Sequence, residues 1–550
     1  MSDEPVATGE RSEEVGYDES LEGEEPSGAE RHASPARDLR SWLAGAPLPA
    51  SLELTLGLLA PMVITIAAAL RVASFTIDDA YISFRYAENL ANGNGLVYNV
   101  GERVEGYTNF LWTVLLAAAV KLGAAPAAAS KVLGAACAAG ALVPTYLLSR
   151  RLRPFSNVPC LATWLLAMSV LFSGYAVFGL ETPLFLLLTL AGTELFFREE
   201  DAASDDGGAR SALVFSSFPW FPLSGAVFAL AALTRPEAPL FLGLLVVWHS
   251  EQALSRRSAL RLVAFALPVA AHLVWRHSYY GAWLPNTLAA KTGDFALQIQ
   301  GGGDYVRKYA QHAGAFLWLG LLSVASSIVH RRRSGLAIAS IALLFGVYVV
   351  AVGGDWMPYF RFLAPAEPFA FLLVDDAVRA IAARRERVAS IAIAAFGAIT
   401  IATRAGELVR AQRNLLVNDK GFWDDAAGRS AEWLAQNAEP GPIALADIGY
   451  VGYRTGFPVV DMLGLLSPEV SRLPGGYTHK VGAGYTDAIF AKNPRYFLVI
   501  SSGIDCKNPT VPSSRASYDD PRFKADYRLL QAIALRKGGA WCIYGKTSYP

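Results

Sequence analysis

The chain has 550 residues, of which 53% are hydrophobic and 17% charged, with 48 basic and 48 acidic side chains in balance. A soluble protein of this size carries about 25% charge, and the deficit here is gathered into apolar runs of about 17 to 22 residues, long enough to cross a bilayer core of roughly 30 Å. The composition excludes a soluble enzyme, a disordered scaffold and a fibrous protein, and a net charge of zero offers no basic surface for nucleic acid.

Residues 1–48 read as an acidic head. Its first 40 positions hold twelve Asp or Glu against four Arg, with Gly, Ser and Pro between them and no periodic apolar face, a composition expected to stay disordered. A transmembrane part is expected over 49–404. Its first run, Leu52 to Ala73, lacks the flanks of a cleavable signal peptide and reads as an uncleaved anchor. Arg31, Arg37 and Arg40 precede it, which puts the N-terminus in the cytosol and brings the chain outside near Ser74. Further runs lie at 127–148, 157–174, 181–197, 211–231, 237–250, 259–276, 311–329, 335–352, 361–379 and 388–404, which with the anchor make about 11 transmembrane helices. Phe110 to Leu122 is apolar but only about 13 residues long, the length of a re-entrant or interfacial segment, and stays outside the count.

The arginines decide the topology. With that short segment left out, Arg150, Arg151 and Arg153, then Arg256, Arg257 and Arg261, then Arg331, Arg332 and Arg333, then Arg384, Arg385 and Arg387 all fall inside. The first external loop is then 74–126, and 405–550 is an external domain. Strand-like runs at Ile443 to Ala446, Pro458 to Met462, Tyr496 to Ile500 and Trp541 to Tyr544, a helical stretch around Arg429 to Asn437, and Gly, Pro and Asn punctuation predict a small mixed α/β fold there. Cys506 and Cys542 both fall in this domain, where they form either a disulfide or two buried thiols; Cys137 and Cys160 lie in spans.

On this topology the polar residues that flank the spans gather outside the membrane. The first loop opens with the adjacent carboxylates Asp78 and Asp79 and contains Tyr107; Glu181 lies in GLETPLF, Arg235 and Glu237 in LTRPEAPLF, Asn286 and Lys291 in LPNTLAAK, and Asp355, Trp356, Tyr359 and Arg361 in GGDWMPYFRF. Carboxylates at a membrane surface suit general-base work on a hydroxyl, since partial burial raises their basicity. Arg and Lys at the same level suit a lipid-linked phosphate. Aromatic and amide side chains suit a sugar. We therefore expect Asp78 and Asp79 to be catalytic, with a slight preference for Asp78 as the base. Lys291, Arg235 and Arg361 are expected to hold the donor phosphate, and Glu181, Glu237, Asn286, Asp355, Trp356 and Tyr107 to line the sugar and acceptor.

Each has a plainer reading. Asp78 or Asp79 could N-cap the helix suggested by Ala80 to Leu90; Glu181 and Glu237 could cap spans; Arg235 and Arg361 could snorkel to headgroups; Trp112, Trp283 and Trp356 could form an aromatic belt. Gly539 with Gly545, Lys546 and Thr547 resembles a phosphate loop, but one residue too many intervenes. No cofactor is certain. The seven histidines form no zinc pair, so no metal ligand is assigned, although the carboxylates leave room for a loosely held divalent cation.

The first-loop string, with GLETPLF, LTRPEAPLF, LPNTLAAK, GGDWMPYFRFLAP and ADIGYVGYRTGFPVVDMLGL, resembles the C-type fold of membrane glycosyltransferases, most closely the mycobacterial terminal arabinofuranosyltransferase family. The resemblance spans about residues 74 to 470 and matches Asp78 and Asp79 to that family's acidic pair. It implies a multi-pass protein of the bacterial cytoplasmic membrane, using a polyprenyl-phosphate sugar donor at the outer face. The acceptor would be a hydroxyl of an envelope glycan, lipid or protein, and the sugar is arabinofuranose on the closest resemblance. A protein O-glycosyltransferase of similar build and a lipid-linked sugar transporter or flippase are the alternatives; a transporter is expected to place ionisable groups near the midplane in repeated halves.

Overall fold

The computed structural model describes residues 48–154, 158–204, 222–249, 255–383 and 387–548. The acidic head through residue 47, the start of the run at 211–231, and Arg384 and Arg385 lie outside the described residues. Every one of the expected runs carries helix. The first is α1 (Ala50–Arg71), followed by α2 (Asp78–Ala91) and α3 (Phe110–Lys121) in the loop region, then α4 (Pro126–Leu152), α5 (Leu161–Ala167), α6 (Val170–Tyr175) and α7 (Thr182–Ser204). After these come α8 (Leu223–Thr234), α9 (Ala238–Trp248), α10 (Arg256–Tyr280), α11 (Asn286–Lys291), α12 (Phe295–Ala313), α13 (Ala315–Val329), α14 (Arg333–Val352), α15 (Glu367–Ala382) and α16 (Arg387–Asn414).

By length and composition alone, five helices among the described residues can cross a membrane: α1, α4, α10, α14 and the long helix that continues α16, with the pair α12 and α13, bent by 94°, as a sixth if it is one span. The expected eleven exceed this number for physical reasons. The run at 157–174 breaks at Met168 and Ser169, α8 and α9 are 12 and 11 residues long, and α7 carries Glu194, Arg198, Glu199 and Glu200 in its second half. The short segment left out of the count is the 12-residue α3. At 1.5 Å per residue it reaches only about 18 Å.

The arginine groups converge. Arg153 and Arg332, from separate loops, both pair with the buried Asp376 of α15 at 3.0 and 2.8 Å. Arg151 pairs with Glu194, and Arg261 with Glu199 and Glu200, at the end of α7. Arg379 bridges Asp375 and Glu53. The opposite end of α7 begins beside Glu181. Its 23 residues span about 34 Å, so the arginine-rich end and the carboxylate-rich end lie a bilayer thickness apart.

The long helix ends in α17 (Arg429–Asn437), and beyond it lies a five-stranded mixed sheet in the order β2-β1-β3-β5-β4, made of β1 (Ile443–Leu445), β2 (Val459–Asp461), β3 (Tyr496–Ser501), β4 (Tyr527–Ala534) and β5 (Ala540–Lys546). β1 is parallel to β2 and β3, while β5 runs antiparallel to β3 and to β4. Four strands fall on the expected runs. β4 is the strand that the sequence pattern hid: it is an edge strand whose alternation is broken by a bulge between Leu529 and Gln531, with Leu529 and Leu530 turned to the exposed side. Cys506 and Cys542 are joined by a disulfide within this domain.

The sheet domain is docked on the first loop. Arg85 of α2, buried, donates to the carbonyls of Tyr98, Gly452 and Phe457, and Asn99 exchanges two hydrogen bonds with the backbone of Val459. Tyr86, Tyr98 and Tyr107 pack with Leu445, Val451 and Trp541 into one apolar core shared by loop and sheet. Removing several large aromatic faces from water together, each contributing about 1.5 to 3 kcal/mol, makes the two parts one unit.

Candidate active site

Asp78 and Asp79 open α2, where unpaired amides of the first turn favour negative charge. Neither caps its own helix: the capping position is Ile77, which makes no side-chain bond. A glycine sets their approach to the membrane part. Gly179 has φ +97°, and a side chain there would strike Ala80 at 2.8 Å, so GLET passes directly over the start of α2.

The adjacent carboxylates have different surroundings. Both oxygens of Asp78 are engaged, accepting from the backbone N–H of Gly449 at 3.0 Å and of Tyr450 at 2.7 Å, at the start of α18 (Tyr450–Thr455). Burial pushes the Asp78 carboxyl up to about 8, with the charge of Asp447 adding to the rise and the two amides opposing it. Asp79 is half-buried and has no hydrogen-bond or ion-pair partner among the described residues. Burial raises its carboxyl above the ordinary range, against the pull of Lys291 and Arg361, while Asp355 and Glu181 push it further up.

The cations around Asp79 also differ. Arg361 is buried and pairs with Asp355 at 2.7 Å. It follows Tyr359 and Phe360, which sit at φ 62° and 56° in the left-handed region, a conformation costing about 1 to 2 kcal/mol per residue. Arg235 is committed to Glu181 at 2.8 Å and Glu237 at 2.5 Å, with Asn109 donating to the second Glu181 oxygen at 2.9 Å. The Lys291 ammonium, at the C-terminal end of α11, has no hydrogen-bond or ion-pair partner among the described residues and lies 5.8 Å from the Tyr477 ring centre.

The structure thus groups Asp78, Asp79, Glu181, Lys291, Asp355 and Arg361, with Arg235 and Glu237 joined to them through Glu181. It does not bring every expected residue to the same place. Asn286 spends its amide on the Gly464 and Leu465 carbonyls and on Ser471, tying α11 to the sheet domain. Tyr107 is buried with its hydroxyl 3.2 Å from that of Tyr280. Trp356 is 53% exposed, and Trp283 stacks on His277. Trp112 is buried and donates to the Gly179 carbonyl. Among the described residues no three His, Cys, Asp or Glu side chains come together to hold a metal ion.

Two residues escaped the sequence reading. Asp447 follows β1, at the C-terminal end of the parallel strands, where α/β sheets hold ligand-facing groups. It is half-buried, has no hydrogen-bond or ion-pair partner among the described residues, and is raised to about 6 by burial and by the charge of Asp79. Tyr477 stands in the loop PGGYTHK, where a side chain on Gly293 would strike the Gly475 carbonyl at 1.9 Å. Its phenol is raised well above the ordinary range by burial and by Asp79, Asp461, Asp447 and Asp355. The signal was in the sequence: an Asp directly after a short apolar strand, inside a motif already singled out for resemblance.

A family model described as a domain of unknown function (DUF8728) matches residues 417–545. The chain is 29% identical over 344 residues to a terminal β-(1→2)-arabinofuranosyltransferase of Corynebacterium glutamicum, covering 54% of this chain and 48% of that protein. It is 28% identical over 350 residues to the protein of the same name in Mycobacterium tuberculosis, covering 54% and 53%. The chain therefore spans about half the length of the curated relatives it matches. Among solved structures, ArnT of Cupriavidus metallidurans bound to undecaprenyl phosphate superposes with a TM-score of 0.56 at 13% identity, over 90% of this chain and 98% of that one. The archaeal oligosaccharyltransferase AglB of Archaeoglobus fulgidus, in complex with an inhibitory peptide and a dolichol-phosphate, gives 0.52 at 12% identity, over 86% and 79%. At such identities the likeness is one of fold, and the chain is a polytopic α-helical membrane protein of the C-type glycosyltransferase fold with a C-terminal mixed-sheet domain.

Proposed function

We propose that this protein transfers a sugar from a polyprenyl-phosphate donor to a hydroxyl of a cell-envelope glycan, lipid or protein at the outer face of the cytoplasmic membrane, with Asp79 as the base. The names of its curated relatives make arabinofuranose the first sugar to test. The observation that carries the reading is the contrast at the start of α2: Asp78 is bound by two amides, whereas Asp79 has no partner among the described residues and is set among Lys291, Arg361, Asp355 and Glu181. Asp79 takes the acceptor proton as the acceptor oxygen bonds to the anomeric carbon, and the carbon–phosphate oxygen bond breaks with its electron pair leaving on the lipid phosphate. Lys291, whose ammonium has no hydrogen-bond or ion-pair partner among the described residues, receives that phosphate, with Arg361 held in place by Asp355. Arg235, expected from its charge to touch phosphate, is assigned to ordering Glu181 and Glu237.

In this reading residues 49–404 are the membrane part, 74–126 the first external loop and 405–550 the extracytoplasmic domain, with the N-terminus cytosolic. The charged groups inside the helices favour a transferase over a transporter. Asp375 holds Ser149 and the Leu161 amide, and Asp376 holds Ser323, Arg153 and Arg332, a fully engaged clamp beside the ends of α4, α5 and α14. The test is sugar transfer by purified Asp79→Asn protein. Turnover is expected to fall about a hundredfold or more with the melting temperature not lowered, and near-normal turnover would remove Asp79 from the chemistry.

A further inference from the structure

We propose that Asp447, supplied by the C-terminal sheet domain, positions the acceptor, and that this acceptor is an uncharged, polyhydroxylated glycan. The inference rests on the reading that Asp79 serves sugar transfer. It gives the domain of unknown function a part in the site itself.

The backbone places Asp447 with little freedom. One residue on, the Ile448 carbonyl accepts from the Tyr98 hydroxyl at 2.5 Å; the next two amides, of Gly449 and Tyr450, are bound by Asp78. Gly449 touches α2 so closely that a side chain there would meet the Asp78 carbonyl at 2.0 Å. The segment from 448 to 450 is therefore clamped to the residue beside Asp79, and Asp447 begins that clamp.

Its unused bonding capacity points to a ligand. The other acids of this region are engaged: Asp78 by two amides, Asp355 by Arg361, Glu181 by Arg235 and Asn109, Asp461 by the amides of Leu463 and Leu466. Asp447 and Asp79 have no hydrogen-bond or ion-pair partner among the described residues, which leaves their oxygens free to accept from a ligand. Two such carboxylates flanked by Tyr477 can each accept from a neighbouring hydroxyl of one sugar, so that Asp447 holds one hydroxyl while Asp79 faces the one that attacks. Charge decides the acceptor class. Arg235 and Arg361 are paired and Lys291 is given to the donor phosphate, so among these three cations none is left to offset a second anion beside Asp79 and Asp447.

The experiment uses the full-length protein in vesicles, with the polyprenyl-phosphate fraction of a deletion strain as donor and that strain's envelope polysaccharide, separated into neutral and acidic pools, as acceptor. Wild-type protein is expected to transfer to the neutral pool. In Asp447→Asn the acceptor KM should rise about tenfold or more, the loss of a charge-assisted hydrogen bond, while the donor KM stays near wild type. Asp447→Glu should fall between the two, which a merely structural role would not produce. Unchanged acceptor KM in both variants, acceptor and donor KM rising together, or preferential transfer to the acidic pool would each overturn the assignment. Wild-type protein that moves no sugar to either pool would instead sink the transferase reading, and this inference with it.

Discussion

Asp78 and Asp79 are adjacent in sequence and opposite in behaviour, and the difference is measurable. Asn in place of Asp78 can accept only through one oxygen and turns an N–H toward a backbone N–H, so Asp78→Asn should loosen the sheet domain from α2 at a cost of about 1 to 3 kcal/mol. Its signature is earlier proteolytic release of the C-terminal domain, which Asp79→Asn does not show. The pH profile separates them further. A base works only when ionised, and Asp79 is raised by burial, with Asp355 and Glu181 adding to the rise, and Lys291 and Arg361 lowering it. Turnover should therefore fall as pH drops through a value above the ordinary carboxylate range, and Asp447→Asn, by removing a negative neighbour, should move that limb to lower pH. Asp447 also acts on stability. Its carboxyl ionises at about 6 in the fold against 3.8 ordinarily, so folding is favoured while it is protonated and loses that advantage as pH climbs from about 4 to 6. At neutral pH Asp447→Asn should therefore stabilise the fold, by at most about 3 kcal/mol, while weakening acceptor use. Thermal denaturation at pH 4 and pH 7 checks the sign.

At the scale of elements, the sequence pattern was informative wherever one period ran unbroken. The helix at Arg429–Asn437 and four of the strands lie where spacing put them, and the short segment at Phe110 is a 12-residue helix. β4 was hidden because an exposed edge needs no alternation, and a bulge removed what remained. The site was half legible for a similar reason. Asp78, Asp79, Lys291 and Arg361 could be picked out by residue type and expected side of the membrane, but which of the two aspartates is bound by amides depends on a loop 371 residues later, and no local pattern encodes that pairing. The opposite helix ends show the same long-range logic. Asp376 collects Arg153 and Arg332 from two loops, so Asp376→Asn should leave two cations against each other and cost about 2 to 4 kcal/mol, below the full buried-pair value because both arginines keep partial exposure. A fall in the unfolding midpoint in detergent, with the donor KM unchanged, is the expected result.

For the whole molecule, the decisive arrangement is the separation of charge between two ends of one helix set, arginine-rich at Asp376 and carboxylate-rich at Asp79. A reporter active only outside the cytoplasm, fused after Pro550, should be active if the carboxylate end faces outward; a cytosolic result would turn the proposed site to the wrong face. The disulfide gives this placement a biosynthetic meaning. Cys506 and Cys542, 36 residues apart, close a loop whose restraint is worth about 3 to 4 kcal/mol in the unfolded chain, and such bridges form in oxidising compartments. The sheet they staple is the one that presents Asp447 to Asp79. Maturation of the site would then have two stages, insertion of the helices followed by oxidation of an exported domain, and newly inserted protein would wait for its second stage with the donor end complete and the acceptor end unbuilt. If the domain is exported as proposed, cells starved of thiol oxidant should accumulate inserted but inactive protein, and added oxidant should restore its activity.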